Sequence, residues 1–275
     1  MDRGKILEVK DLTKNFGGFR AVKQLSFTLD REEILGLVGP NGAGKTTTFN
    51  LITGFLKPTA GKIFYDGREI TGLPPHGRAR LGLVRTFQNT KVFAHLTVEK
   101  NIWIGCHMRE RGGFKRVLLG TPHAERNDLE SRVEQILTFT DLQELRDKIA
   151  DDLPYGEQRA LGIAIALGAD PKLLLLDEPF AGMNPAEASR SMALIHKIRD
   201  AGTTVLLVDH HMDTLVKHCD RLVVMHHGEK LAEGRPKQVK EDPQVIEVYL
   251  GGTELIELRP EGKLDPDRSE QESGE

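Results

Sequence analysis

A glycine-rich stretch at residues 39–47, GPNGAGKTT, fits the pattern G-x-x-x-x-G-K-[ST]. Glycines allow the backbone to wrap closely around phosphates with its N–H groups pointing inward. In this pattern Lys45 reaches the β- and γ-phosphates of a nucleotide, and the Thr46 hydroxyl binds Mg²⁺. The residues that we expect to surround the phosphates are Gly39, Asn41, Gly42, Gly44, Lys45, Thr46 and Thr47. A glycine-rich turn without a ligand is the alternative, but a strand-like run before the stretch and a helical pattern after it favour a phosphate loop.

Two adjacent carboxylates end the apolar run LLLLDE at residues 173–178. Asp177 is suited to hold Mg²⁺ through water, as the usual acidic partner of a phosphate loop. Glu178 can polarise an attacking water, which favours hydrolysis over phosphoryl transfer to a hydroxyl acceptor. Taken alone, the pair could equally be a strand that ends at the surface. The phosphate loop upstream favours the functional interpretation.

A third polar group, His210, follows the apolar run VLLVD at residues 205–209. Open α/β sheets gather their active sites at the carboxyl ends of strands, so we expect His210 to contact the γ-phosphate beside Glu178. A lone histidine more often has a structural role, which is the alternative at this position.

The elements that would position these groups alternate between strand and helix patterns at both ends of the chain. Apolar runs typical of strands occur at 6–9, 21–29, 33–39, 61–67, 81–88, 172–178, 203–210 and 220–228. A helical pattern covers 45–52, and Asn184-Pro185 has the residue types of a helix start. Residues 95–169 are mostly helical in pattern, with a Gly- and Arg-rich interruption at 109–123. This order predicts an α/β fold, with a mainly parallel sheet and helices on both faces.

Composition excludes several classes of protein. The 275 residues include 38 Lys and Arg against 41 Asp and Glu, which gives a formal net charge of −3. This balance argues against a dedicated nucleic-acid-binding protein. No apolar run approaches the roughly 18 residues that span a bilayer, and the first residues lack the apolar core of a secretory signal. We therefore expect a soluble cytoplasmic protein, with Cys106 and Cys219 as reduced, buried thiols.

The order of these motifs resembles that of the ATP-binding subunits of ABC transporters, over about residues 5–250. GPNGAGKTT corresponds to the Walker A loop and LLLLDE to Walker B followed by the catalytic glutamate. TFQ at 86–88 resembles the Q-loop, AGMN at 181–184 lies at the D-loop position, and His210 matches the switch histidine. The resemblance implies ATP and Mg²⁺ as ligands. It also implies a P-loop NTPase core with an antiparallel β subdomain and a helical subdomain.

The resemblance assigns roles to two further residues. Gln88 would sense Mg²⁺ and the attacking water, and would be a metal ligand as well as a catalytic residue. Phe16, in KNFGG, occupies the aromatic position that stacks on adenine in this family. The alternative for Phe16 is a strand residue of the core.

One motif departs from the family. The usual signature is Leu-Ser-Gly-Gly-Gln, whereas residues 153–159 read LPYGEQR, here called the signature segment. Pro154 replaces the serine and has neither a hydroxyl nor an N–H, and Tyr155 replaces the first glycine. Gly156 and the start of the following helix remain, so anion binding can persist. We expect Gly156 and Glu157 to contact the nucleotide held by an opposite subunit.

A narrower resemblance, to the importers of branched-chain amino acids, is carried by RTFQNTKVF, LPYGEQRALGIAIAL and DEPFAGMNP. It implies an ATPase that energises solute import from the cytoplasmic face of the inner membrane. Its partners would be a second ATPase subunit, identical or related, two membrane permeases and, indirectly, an external solute-binding protein, with no nucleic acid. The alternatives are the ATPase of a urea or amide importer, or of an exporter. A soluble ABC ATPase acting on ribosomes or DNA, or a small-molecule kinase, is less favoured.

The same resemblance suggests a division of the chain. We expect residues 1–90 and 160–252 to form the nucleotide-binding core with its β subdomain, and residues 91–159 to form the helical subdomain that carries the signature segment. Residues 253–275 contain eight acidic and three basic residues, so this tail carries −5 and the rest of the chain +2. We expect the tail to be disordered, because it has no apolar pattern to bury.

Overall fold

The computed structural model describes residues 4–86, 92–107, 123–209 and 212–250, with the backbone alone for residues 123–127 and 250. The strands in these ranges are β1 (Lys5–Phe16), β2 (Phe19–Asp30), β3 (Ile34–Val38), β4 (Ala60–Tyr65), β5 (Arg68–Glu69), β6 (Leu83–Arg85), β7 (Leu173–Asp177), β8 (Thr204–Val208), β9 (Arg221–His226) and β10 (Glu229–Gly234). The helices are α1 (Lys45–Thr53), α2 (Pro75–Ala79), α3 (Val98–His107), α4 (His123–Phe139), α5 (Tyr155–Gly168), α6 (Pro185–Asp200), α7 (Met212–His218), α8 (Pro236–Lys240) and α9 (Pro243–Leu250).

The central sheet has the strand order β10-β9-β3-β8-β7-β6. All neighbours in it are parallel except the β9–β10 pair. Every residue of β3, β7 and β8 is buried, as expected for strands covered on both faces. The mainly parallel sheet predicted from the sequence is therefore confirmed.

Two hydrophobic cores lie on opposite faces of this sheet. Leu173 and Leu175 of β7 belong to the core that contains residues of α1 and of strands β1, β2 and β4. Leu174 and Leu176 belong to the core under α6 and α7. Successive strand residues point to opposite faces, so a continuous apolar run is what a doubly covered strand requires. Helices on both faces are thus confirmed.

The additions to the central sheet are an antiparallel sheet and a group of helices. The antiparallel sheet has the order β2-β1-β4-β5, and α3, α4 and α5 share a core of their own. Helices α3 and α5 touch through glycines: a Cβ on Gly105 would lie 2.3 Å from the carbonyl oxygen of Ile165, so only glycine permits this approach. The predicted fold class is confirmed, while the exact residue boundaries between its parts stay a prediction.

Local predictions agree with the structure in most places. Asn184 caps α6 in a reciprocal capping box with Glu187, and both cysteines are buried and free. Of the strand predicted at 81–88, β6 covers Leu83–Arg85, which pair with β7, and residues 87 and 88 lie outside the described residues. Within the described ranges, every helix is too short or too polar to span a membrane.

A buried arginine fixes the carboxyl end of α1. Arg78 is 1% exposed, and its guanidinium donates to the carbonyl oxygens of Leu51 (2.7 Å) and Ile52 (2.6 Å) in the last turn of α1. It also donates to the carbonyls of Leu73 (2.9 Å) and Thr71 (3.0 Å). Burial lowers the pKa of Arg78 to about 10. A cation at this end of α1 favours the helix dipole and gives the carbonyls of the last turn a charged donor.

We expect Arg78→Met to lower the free energy of unfolding by about 3 kcal/mol, because buried carbonyls lose their charged donor. Urea unfolding followed by circular dichroism measures this change. The matched control is Arg80→Met, which removes an exposed arginine two residues away and should cost less than about 0.5 kcal/mol. Equal losses in the two variants would show that the buried contacts of Arg78 contribute nothing special.

Candidate nucleotide site

The phosphate loop connects the end of β3 to the start of α1. Gly44 precedes the helix with φ of +100°, and a Cβ at this position would lie 2.6 Å from the carbonyl oxygen of Ala21. Glycine is required here because strand β2 passes directly against the loop. No acidic residue lies in the first turn of α1, and no side chain caps it. The amino end of α1 therefore keeps its positive partial charge and its N–H groups for an anion.

Lys45 lies inside this loop. Its side chain is buried, and its ammonium donates to the carbonyl oxygens of Gly39 (2.6 Å) and Pro40 (3.0 Å). The loop thus holds the cation at its own centre. Of the other predicted phosphate ligands, Thr47 is half-buried, whereas Thr46, Asn41 and Gly42 are exposed at the mouth of the loop.

Strand register brings the two carboxylates close to the phosphate loop. Asp177 of β7 pairs with Val208 of β8, which in turn pairs with Leu37 of β3. Because only β8 separates β3 from β7, their carboxyl ends lie about 10 Å apart, or two strand spacings. The structure therefore brings together Lys45, Thr46, Asp177 and Glu178 at one edge of the sheet, as the sequence predicts.

Asp177 is a buried carboxylate with a half-buried cation beside it. It is 3% exposed, and its Oδ2 accepts from Nη2 of Arg85 at 3.0 Å. Nη1 of Arg85 donates to Oδ1 of Asn50 in α1 at 2.6 Å, and the guanidinium lies 4.5 Å from the ring centre of Phe49. Burial raises the pKa of Asp177, and the charge of Arg85 opposes that rise. Arg85 thus joins β6, β7 and the helix of the phosphate loop.

Glu178 has an unusual backbone conformation. Its φ is +45°, in the left-handed region that costs a non-glycine residue about 1 kcal/mol or more. Its N–H donates to the carbonyl oxygen of Val208 at 2.7 Å, which ties the turn after β7 to the end of β8. The side chain is half-buried. Strain held in place by a short hydrogen bond at a strand end is typical of a functional residue.

Phe16 lies at the end of β1, opposite Phe19 of β2 in the hairpin. Its ring is 46% exposed, with the ammonium of Lys14 at 5.1 Å from its centre, so the alternative of a core residue is wrong. The same hairpin places Ala21 against Gly44 of the phosphate loop. Adenine stacking by Phe16 stays a prediction.

Of the four remaining predicted site residues, the structure describes Gly156 and Glu157. Gly156 and Glu157 lie in the first turn of α5, and Gly156 faces the side chain of Glu187 in the first turn of α6. Their predicted role concerns the nucleotide of an opposite subunit, so it stays a prediction. Gln88 and His210 lie outside the described residues, and their roles also stay predictions.

Sequence reasoning missed Arg85 and Asn50. Arg85 stands directly before the TFQ motif at the end of a strand, and a charged residue at the end of an apolar run was the available signal. Asn50 gives no such signal, because a polar residue on a helix usually faces solvent. Only the packing of α1 against β6 brings the two together.

We expect Arg85→Met to destabilise the protein by about 3 kcal/mol or more at pH 8, because it leaves a charged carboxylate buried without its partner. The variant should raise the pKa of Asp177 further. This penalty belongs to the ionised carboxylate, so it is present above the folded-state pKa and is relieved as the pH falls through it. Urea unfolding at pH 8 and pH 5.5 should therefore show a smaller deficit at the lower pH.

Two further variants test the cause. Arg85→Met combined with Asp177→Asn should recover most of the loss at pH 8, since no buried charge remains. Arg31→Met, which breaks the exposed pair with Asp66, should cost less than about 1 kcal/mol at either pH. A deficit for Arg85→Met that is independent of pH would contradict the electrostatic explanation.

Comparisons with known proteins agree with this geometry. The family model for ABC transporters matches residues 22–181, and that for branched-chain amino acid ATP-binding cassette transporters matches residues 229–254. The high-affinity branched-chain amino acid transport ATP-binding protein BraF of Pseudomonas aeruginosa is 42% identical over 249 residues, which are 90% of this chain and 98% of BraF. The lipopolysaccharide export system ATP-binding protein LptB of Haemophilus influenzae is 37% identical over 246 residues, 90% of this chain and 97% of LptB.

A solved structure is similar over the same length. It is an ATP-binding cassette of an ABC transporter in its ADP conformation, with a TM-score of 0.79 and 32% identity over 90% of this chain and 99% of the other. Together with the family model that covers more than half of the residues, these similarities confirm the resemblance inferred from the motifs. The chain therefore belongs to the ABC transporter family, as an ATP-binding subunit that hydrolyses ATP.

Proposed function

We propose that this chain supplies the energy for import of branched-chain amino acids, by hydrolysing ATP with bound Mg²⁺. The observation that carries the proposal is the convergence of Lys45, Asp177 and Glu178 at the carboxyl ends of β3 and β7, two parallel strands that only β8 separates. The solute is supported by the match of residues 229–254 to a branched-chain amino acid family and by the similarity to BraF.

The phosphate loop and Lys45 would bind the phosphates of the nucleotide. The ammonium already lies among the loop carbonyls, so a nucleotide need only replace weak neutral acceptors by strongly charged ones. The N–H groups at the start of α1 add donors aimed at the same anion. Because these N–H groups are fixed before the nucleotide arrives, they stabilise charge on the phosphates without reorganisation, whereas Lys45 exchanges its acceptors.

The oxygen ligands present here fit Mg²⁺, which takes one or two protein oxygens together with phosphates and water. Thr46 offers a hydroxyl at the mouth of the loop, and Asp177 a carboxylate at the end of β7, with Gln88 as a further predicted ligand. When bound, Mg²⁺ supplies neutralisation of charge on the β- and γ-phosphates. The charge of Arg85 opposes the rise that burial causes in the pKa of Asp177, and its hydrogen bond orients the carboxylate for this role.

Glu178 is the residue that would activate water. It follows Asp177 directly, one residue beyond the end of β7, and we propose that its carboxylate orients the water for in-line attack on the γ-phosphate. The hydrogen bond from its N–H to Val208 fixes the backbone from which it acts. His210 is proposed to contact the γ-phosphate from the neighbouring strand end, β8.

ATP-binding subunits of transporters work in pairs with membrane components, and the proposal extends to this chain. Its partners would be a second ATPase subunit, identical or related, two permeases and, through them, an external solute-binding protein. The chain would be peripheral, at the cytoplasmic face of the inner membrane. Each ATP would lie between one phosphate loop and the signature segment of the other subunit, with Phe16 against adenine and with Gly156 and Glu157 near the γ-phosphate.

We expect Glu178→Gln to keep the affinity for ATP and to lower the rate of hydrolysis at least about a hundredfold, because the amide cannot accept a proton from water. Phosphate release measures the rate, and titration with a fluorescent ATP analogue measures affinity. The matched control is Glu144→Gln, which changes an exposed glutamate and should leave both unchanged. Near-normal turnover by Glu178→Gln would refute its role.

Purification from membranes in mild detergent tests the partners. We expect two permeases and a second ATPase subunit to accompany this chain. We also expect the ATPase activity of that assembly in liposomes to rise with a binding protein loaded with leucine, isoleucine or valine.

The similarity to LptB makes export the second candidate function. Co-purification with lipopolysaccharide-extracting components instead of importer permeases would favour export, and recovery on ribosomes would contradict transport altogether.

A further inference from the structure

Tyr155 stands where the family signature has glycine, and its side chain contacts another motif of the same chain. The Tyr155 hydroxyl donates to the carbonyl oxygen of Ala181 at 2.9 Å, and it accepts from Nε of Arg159 at 3.0 Å. The Arg159 guanidinium also lies over the Tyr155 ring, 5.0 Å from its centre. One turn of α5 thus orients the hydroxyl towards the segment at 181–184.

The contact is more than a single hydrogen bond. The Tyr155 ring packs on Gly182, where a Cβ would lie 3.3 Å from the ring and where φ is +78°. Beside it, a Cβ on Gly156 would lie 3.2 Å from Cγ of Glu187, which forms the capping box with Asn184. The start of α5 therefore contacts both the turn after β7, at Ala181 and Gly182, and the first turn of α6, at Glu187.

That turn leads back to Glu178. The N–H of Ala181 donates to the carbonyl oxygen of Glu178 at 3.2 Å, and the N–H of Met183 donates to that of Phe180 at 3.1 Å. Ala181 therefore links the two residues. Its carbonyl oxygen accepts from the Tyr155 hydroxyl, and its N–H donates to the carbonyl oxygen of Glu178. Tyr155 is thus two hydrogen bonds away from the backbone of the proposed catalytic residue, whose φ of +45° needs external support.

We propose that Tyr155 is a positioning residue that couples the signature segment to Glu178 of the same chain. This inference rests on the proposed function. In a pair of subunits the signature segment faces the partner's ATP, whereas Glu178 acts on the chain's own ATP. The Tyr155–Ala181 bond therefore lets occupancy of one nucleotide site adjust the catalytic carboxylate of the other. A signature with glycine at this place has no side chain to make the bond.

Tyr155→Phe removes the hydroxyl and keeps the ring on Gly182. In the transporter assembled with its membrane partners, we expect kcat for ATP to fall about five- to tenfold, the range of one uncharged hydrogen bond, with KM for ATP changed less than twofold. The matched control is Tyr65→Phe, because the Tyr65 hydroxyl is buried in the antiparallel sheet with no hydrogen-bond partner among the described residues. This control should leave kcat and KM unchanged.

Other results would overturn the coupling. Tyr155 is 42% exposed, so its free face could instead contact the partner's nucleotide. A higher KM with unchanged kcat would show such a binding role and contradict ours. An unchanged kcat in Tyr155→Phe would also refute the coupling. So would an equal fall of kcat in Tyr155→Phe and in Tyr65→Phe.

Hydrogen exchange separates this inference from the proposed function. In the chain without nucleotide, Tyr155→Phe should speed exchange several-fold at the amides of Ala181 and Met183, and the Tyr65→Phe variant should not. Unchanged exchange rates at these two amides in Tyr155→Phe would refute the contact even if the wild type imports amino acids. A wild type without ATPase activity that still shows the exchange difference would refute the proposed function, and with it the catalytic consequence of the contact.

Discussion

The register of β3, β8 and β7 is the constraint on which the site depends. Leu37, Val208 and Asp177 stand side by side across three parallel strands, so the phosphate loop and both carboxylates must meet at one edge. A slip of one residue would turn Asp177 and its neighbours to the opposite face of the sheet. The two different cores on the two faces prevent such a slip, because every leucine of β7 already fills a place in one of them.

The charged side chains around the central sheet and α1 form hydrogen bonds with protein groups. Arg85 pairs with Asp177, and Arg78 and Lys45 donate to carbonyl oxygens at opposite ends of α1. Each arrangement reduces the cost of removing a charge from water, and each also fixes the position of α1. The helix that presents the phosphate loop is thus tied at both ends by buried cations, and to β7 through Arg85. Rigid placement before the nucleotide arrives is what electrostatic catalysis requires.

The unusual signature segment has a structural consequence of its own. Proline caps α5 without contributing a side-chain hydrogen bond, and tyrosine takes over contacts with the turn after β7. The departure from the family pattern therefore replaces a flexible glycine by a side chain that links two motifs. Tyr155 is 42% exposed, so part of its ring stays open to solvent in this chain.

The sequence by itself determined the phosphate loop, the identity of Asp177 and Glu178, the parallel sheet and the family, because each follows from local patterns of residue type. A glycine-rich loop needs its glycines in order, and a strand buried on both faces needs an unbroken apolar run, as in LLLLD. The roles of Arg85, Asn50, Arg78 and Tyr155 were decided only by the tertiary structure. The partners that decide these roles lie between 26 and 92 positions away, as Tyr155 with Ala181 and Arg85 with Asp177 show. Such contacts depend on how helices pack against the sheet, which no local pattern encodes.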